Sequence, residues 1–102
     1  MTDVRVTPEV LEAFTGTNVA MATAVGAAGS INAAANTAIM VPVFGLIGQE
    51  FLAAFIPAQV NHLTSVGELA AVHAATAAST AAGLATFETT DGNNAAVIRS
   101  AL

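Results

Sequence analysis

The chain reads as all-α: an antiparallel two-helix hairpin with a kinked second helix, assembling into a helical bundle or higher oligomer. Three observations predict this. Twenty-five of the 102 residues are alanine, which loses no side-chain entropy in a helix. Apolar residues recur at steps of three and four on both sides of one interruption. That interruption, Val41-Pro42-Val43-Phe44-Gly45-Leu46-Ile47-Gly48, holds the proline and glycines that end a helix and turn a chain. A hairpin padded with small side chains buries little apolar area, and chains of this size are marginal already. The expectation of a partner follows from that shortage. The whole chain, 1–102, is expected to form a single domain.

Residues 1–6 read as an extended lead-in. Thr7-Pro8-Glu9 then starts a helix: threonine caps, proline suits the first helical position, and Glu9 and Glu12 meet the positive end of the helix dipole. Helix 1 is expected over about 8–38, with Leu11, Phe14, Asn18, Met21, Val25, Ala28 and Asn32 forming a heptad-like seam. Asparagines in such a seam fix register. Gly26 and Gly29 weaken the helix but let another one approach. The turn falls at about 41–47. It is unusually apolar for a loop, so Phe44, Leu46 and Ile47 are expected to plug the end of the helix pair or to touch a partner. Helix 2 is expected over about 48–88, along Phe51, Phe55, Ala58, His62, Val66, Leu69, His73, Thr76 and Thr80, with a kink at Pro57. Asp91-Gly92-Asn93-Asn94 reads as a breaker cluster. The tail after it is either disordered or a short helix.

Composition narrows function. Seven carboxylates against Arg5 and Arg99 give a net charge of −5. With no basic patch there is no electrostatic footprint for nucleic acid, and anionic lipid surfaces would repel the chain. The absence of cysteine removes disulfides and thiolate metal sites. The opening residues do not form a basic segment followed by an apolar one, so no cleavable signal peptide is expected. The uncharged run from Ala13 to Gln49 is long enough to span a bilayer. It is rich in alanine, dotted with Thr and Asn, and unflanked by Lys or Arg, so membrane contact is not predicted.

Few residues suggest chemistry. His62 and His73 are eleven positions apart, about 16 Å along a helix, too far to share a metal ion. They read as seam histidines, or as pH-sensitive elements of an interface. Glu9 and Glu12 are explained by the helix start. No serine has a Gly-x-Ser-x-Gly context, and Gly45-x-x-Gly48 lacks the lysine and strand of a phosphate loop. An enzyme, a cofactor and a metal site are therefore not expected.

The remaining signal is Phe87-Glu88-Thr89-Thr90-Asp91, an aromatic residue and a carboxylate four positions apart on one helix face. It resembles the Tyr-x-x-x-Asp/Glu export signal of type VII secretion substrates. Together with the lead-in Val4-Arg5-Val6-Thr7-Pro8-Glu9-Val10-Leu11 and the segment Val43-Phe44-Gly45-Leu46-Ile47-Gly48-Gln49-Glu50-Phe51-Leu52, it makes the whole chain resemble the EspC-like group of mycobacteria and related actinobacteria, within the Trp-x-Gly helical hairpins. The PE family is a close rival. Two departures stand out. There is no tryptophan, so Phe44-Gly45 lies where relatives carry Trp-x-Gly, and Phe87 keeps the signal's ring without its hydroxyl.

The resemblance implies a non-enzymatic substrate, secreted or held in the cell envelope. It implies export as a helical hairpin, in a four-helix bundle or other oligomer with itself or a cognate hairpin protein. Phe87 and Asp91 would then be read by the secretion ATPase. The hairpin seam and interface would be Leu11, Phe14, Met21, Val25, Phe51, Phe55, Val66 and Leu69, with Phe44, Gly45, Leu46 and Ile47 at the turn. The alternative is a membrane-active helical protein forming a pore or surface assembly.

Overall fold

The computed structural model describes residues 2–30 and 32–102; among them every regular element is a helix. In order these are α1 (Pro8–Gly29), α2 (Ala33–Phe44) and α3 (Gln49–Ala101). The helix starts where the sequence places it. The Thr7 carbonyl accepts from the N–H groups of Val10 and Leu11, Pro8 occupies the first helical position, and Glu9 lies in the first turn.

The single helix expected over 8–38 is two helices, although Ile31 itself lies outside the described residues. α1 closes at Gly29, and α2 opens with Asn32 as its N-cap. The Asn32 side-chain oxygen accepts from the Ala35 N–H at 2.9 Å. Asparagine favours such a cap over a helix interior because its short amide competes with the backbone. Asn32 therefore starts a helix and does not extend the seam of α1. α2 also runs past the expected limit, through Pro42 to Phe44. Proline there removes one late hydrogen bond, and the helix stops two residues on.

Gly45 makes the reversal. Its φ of 52° lies in the left-handed region that favours glycine, and its N–H reaches the Val41 carbonyl at 2.9 Å. The turn proper is residues 45–48, later than the expected 41–47. α3 is continuous through Pro57. It is also continuous through Asp91-Gly92-Asn93-Asn94, so that cluster breaks nothing. Glycine and asparagine each lower helix propensity by up to about 1 kcal/mol. Propagating an existing helix is favourable, and Ala95 and Ala96 follow with no proline beyond. Arg99 in the last turn matches the negative end of the dipole.

The polar side chains of α3 are largely satisfied within the helix. Thr64, Thr76, Thr80 and Thr86 each donate to the carbonyl four residues earlier, and Ser100 to the one three earlier. An alanine-rich helix thus carries hydroxyls without needing partners from elsewhere.

The chain divides into two compact units, Met1–Met21 with Val72–Leu102, and Ala22–Ala71. In the first, Asn18, Ala77 and Leu84 are buried, with Leu11, Thr15, His73 and Thr80 half-buried. Asn18 donates from Nδ2 to the Phe14 carbonyl at 3.0 Å, and its Oδ1 lies 3.4 Å from Nδ1 of His73. In the second unit, Gly29, Leu52 and Gln59 are buried. A Cβ added to Gly26 would sit 4.0 Å from that of Ala70, while one added to Gly29 would lie 2.9 Å from that of Val66. Three steps up α1 match four steps down α3, the antiparallel sense.

The inward stripes repeat at three and four residues, as an amphipathic helix requires. On α1 the stripe is Leu11, Thr15, Asn18, Ala22, Val25 and Gly29. Asn18, Leu11 and Val25 fall where the sequence pattern puts them. Thr15, Ala22 and Gly29 replace the expected Phe14, Met21 and Ala28. On α3, Phe55, Val66, His73, Thr76 and Thr80 coincide with the expected seam, with Ala77 buried beside Thr76, whereas Leu52, Gln59 and Ala70 replace Phe51, Ala58 and Leu69. A displacement of one residue turns the face by about 100°. At Thr15, Ala22, Gly29 and Ala70 the reason is size, since small residues let alanine-rich helices approach closely; Leu52 and Gln59 do not follow that rule.

Candidate functional site

The region singled out by sequence sits in the last third of α3, well inside the helix. Phe87 is 47% exposed, and Glu88, Thr89, Thr90 and Asp91 are all exposed. The four-residue spacing places the Phe87 ring and the Asp91 carboxylate on one face, about 6 Å apart along the axis. Ala85, Thr86, Thr89 and Thr90 line a shallow depression on the same helix. Its walls are methyl and hydroxyl groups. The Thr86 hydroxyl is engaged with the Ala82 carbonyl at 3.1 Å. The segment thus presents one ring and two carboxylates, Glu88 and Asp91, on a continuous helix.

At the turn, Phe44 packs on Phe51, with ring centroids 4.8 Å apart, and Phe51 stacks on Phe55 at 5.8 Å. Such pairs contribute about 0.5–1.5 kcal/mol beyond their buried area. Phe44 also lies against Gly48. Leu46 and Ile47, by contrast, project outward, Ile47 being fully exposed. Of the three turn residues expected to plug or to touch, Phe44 makes a ring contact with Phe51 while staying exposed, and the other two face outward.

The eight seam residues divide in the same way. Leu11, Val25, Phe55 and Val66 are half-buried, whereas Phe14, Met21, Phe51 and Leu69 each keep two-fifths or more of their surface exposed. Val43, Ile39 and Val60 add to the exposed apolar surface of the second unit. A monomeric soluble protein seldom leaves so many large apolar side chains uncovered.

The second unit also contains a cavity of ≈ 380 Å³ lined by Asn36, Phe55, Ala58, Gln59 and His62. Sequence reasoning missed Gln59. Its signal was positional: it lies seven residues after Leu52 and seven before Val66, on the stripe that both mark. His62 is exposed at the cavity wall, and His73 belongs to the other unit, against Asn18. Among the described residues, no group of three His, Asp or Glu is placed to hold a metal ion.

Residues Pro8–Phe44 have the length and mean hydropathy, 1.3, of a membrane span. The break before Ala33 divides that stretch into the 22-residue α1, long enough by itself to cross a bilayer, and the 12-residue α2, which is not.

With this geometry in hand, comparison with known families is decisive. The family model described as "Excreted virulence factor EspC, type VII ESX diderm" matches residues 1–100. The chain belongs to the EspC family. The match takes in the lead-in, the turn at Gly45 and the Phe87–Asp91 segment, so all three regions of resemblance lie within it. Membership makes the chain a type VII (ESX) secretion substrate and fits a secreted or envelope location. The EspC family is one of excreted factors and is not known for catalysis. No curated protein and no solved structure matches the chain.

Proposed function

We propose that this EspC-family chain is exported as a preformed helical hairpin, bent at Pro57, in a homo- or hetero-oligomer, and that the secretion ATPase reads Phe87 and Asp91 on α3. The observation that carries the reading is the exposure of both residues one turn apart on an uninterrupted helix, in a chain that matches a type VII substrate family along nearly its whole length. A receptor groove could accept the ring while a cation meets the carboxylate, the usual logic of helix-in-groove recognition. The oligomer contact is made by the large side chains left on the flanks, Phe14, Met21, Phe51 and Leu69, and by Leu46 and Ile47 at the turn. The partner is a second copy or a cognate helical hairpin protein, because each presents an apolar face of the same kind.

The test is export in a host with a functional type VII system. Phe87→Ala and Asp91→Ala variants should keep the far-ultraviolet circular dichroism of the parent and accumulate in the cell. Normal release of both variants would defeat the assignment.

A further inference from the structure

Gln59 poses a physical problem. It is 8% exposed, and neither its Oε1 nor its Nε2 has a hydrogen-bond partner. A buried polar group left unpaired loses its hydrogen bonds to water without replacement, and a marginal chain has little stability to spare. An aliphatic residue at the same point of the stripe would avoid that cost. The same glutamine lines the ≈ 380 Å³ cavity with Asn36, Phe55, Ala58 and His62.

The lining specifies what the cavity could take. None of the five residues is Asp, Glu, Arg or Lys, so an ammonium ligand would meet no counter-charge and a carboxylate would meet one only on a protonated His62. Gln59 must both donate and accept, and Asn36 adds a second carboxamide with the same pair of capacities. The group that meets a carboxamide on both counts is another amide, through paired N–H···O bonds. Phe55 and Ala58 supply apolar wall for the carbon atoms that such a group carries. The terminal torsion of glutamine is broad, so the amide can turn to meet a ligand while α3 stays in place. The volume falls within the range of small-ligand sites.

We propose that this cavity is a binding site for a neutral carboxamide, with Gln59 as its principal hydrogen-bonding residue. The carboxamide comes either from a free small molecule or from an asparagine or glutamine side chain of a second copy. The chain itself exposes Gln49, Asn61, Asn93 and Asn94.

The test uses the full chain labelled with ¹⁵N and follows the Gln59 side-chain NH₂ resonances. Propionamide at millimolar concentration should shift them saturably, and propionate and propylammonium should not. Gln59→Leu should abolish propionamide binding, read on neighbouring backbone amides, and should raise the melting temperature of the unliganded chain, because it removes two unpaired polar atoms. Sedimentation of parent and Gln59→Leu proteins separates the sources. Weaker self-association in the variant identifies a second copy as the supplier, and unchanged self-association with propionamide bound identifies a free ligand. Absence of propionamide binding overturns the proposal. A lower melting temperature for Gln59→Leu with unchanged self-association also overturns it, because the amide would then be serving the fold. Neither result depends on export, so the secretion reading stands or falls separately.

Discussion

Replacing glycine by alanine should act with opposite signs at two positions three residues apart on α1. At Gly26 a new Cβ meets only the Cβ of Ala70, at 4.0 Å, an ordinary van der Waals distance. Alanine there contributes its better helix propensity, about 0.5–1 kcal/mol. At Gly29 the new Cβ would lie 2.9 Å from the Cβ of Val66 and against its Cγ1. Turning the valine side chain moves the methyl but leaves its Cβ where it is, so the two helices must separate locally. Overpacking of this kind costs about 1–3 kcal/mol. The propensity gain is smaller than at Gly26 because Gly29 is the last residue of α1. The net effect of Gly29→Ala is a loss of about 1–2 kcal/mol, against a gain of under about 1 kcal/mol for Gly26→Ala. For a chain of this length, 1 kcal/mol moves the melting temperature by about 4–8 °C. Thermal unfolding followed at 222 nm, with all proteins at one concentration, therefore resolves the pair. Val66→Ala should relieve the clash, making the Gly29→Ala/Val66→Ala double variant more stable than the sum of the single effects. If Gly29→Ala stabilises as Gly26→Ala does, the close approach of α1 and α3 at this point is wrong.

Other outcomes follow from the same packing and capping contacts. Gly45→Ala forces a side chain into a left-handed φ of 52° and should lower stability by about 1–3 kcal/mol in denaturant titration. Asn32→Ala removes the cap on the Ala35 N–H and should cost about 1 kcal/mol, with faster amide exchange confined to the first turn of α2. Asn18→Ala takes away the acceptor facing His73 Nδ1 and the donor to the Phe14 carbonyl. It should cost about 1–2 kcal/mol, and combining it with His73→Ala should cost less than the two separately. Under the proposed reading, Phe87→Tyr adds the hydroxyl of a Tyr-x-x-x-Asp/Glu signal. If the ATPase hydrogen-bonds to it, the exported fraction should rise while the melting temperature stays unchanged, and an unchanged fraction would show that the ring suffices.

Much of this was legible in the residues. Thr7-Pro8-Glu9 announced the start of α1 because capping, proline geometry and the helix dipole agree there. The reversal near Gly45 was legible because only glycine takes that φ readily. The aromatic and carboxylate at Phe87 and Asp91 are local in sequence, so their shared face could be read from spacing alone. Other features depended on tertiary context. A periodic pattern read by hydrophobicity assigns the seam to Phe14, Met21, Phe51 and Leu69, because bulky apolar residues dominate any such count. The packed stripe instead selects Thr15, Ala22, Gly29 and Ala70, for closeness of approach. Asn32 could not be told from a seam asparagine until the chain broke before α2. The helicity of Asp91-Gly92-Asn93-Asn94 reflects cooperative propagation from the residues on either side, which local propensity does not express.

The glycine, alanine and threonine positions along the stripes reverse the usual mutational asymmetry of a protein interior. In most cores truncation does the harm and enlargement is the rarer insult. Here Thr15, Ala22, Gly29, Ala70 and Ala77 have almost nothing left to lose, so growth by even one methyl group is the dangerous direction. The outward side chains are free of that constraint, and they can change in size while the inner register stays fixed.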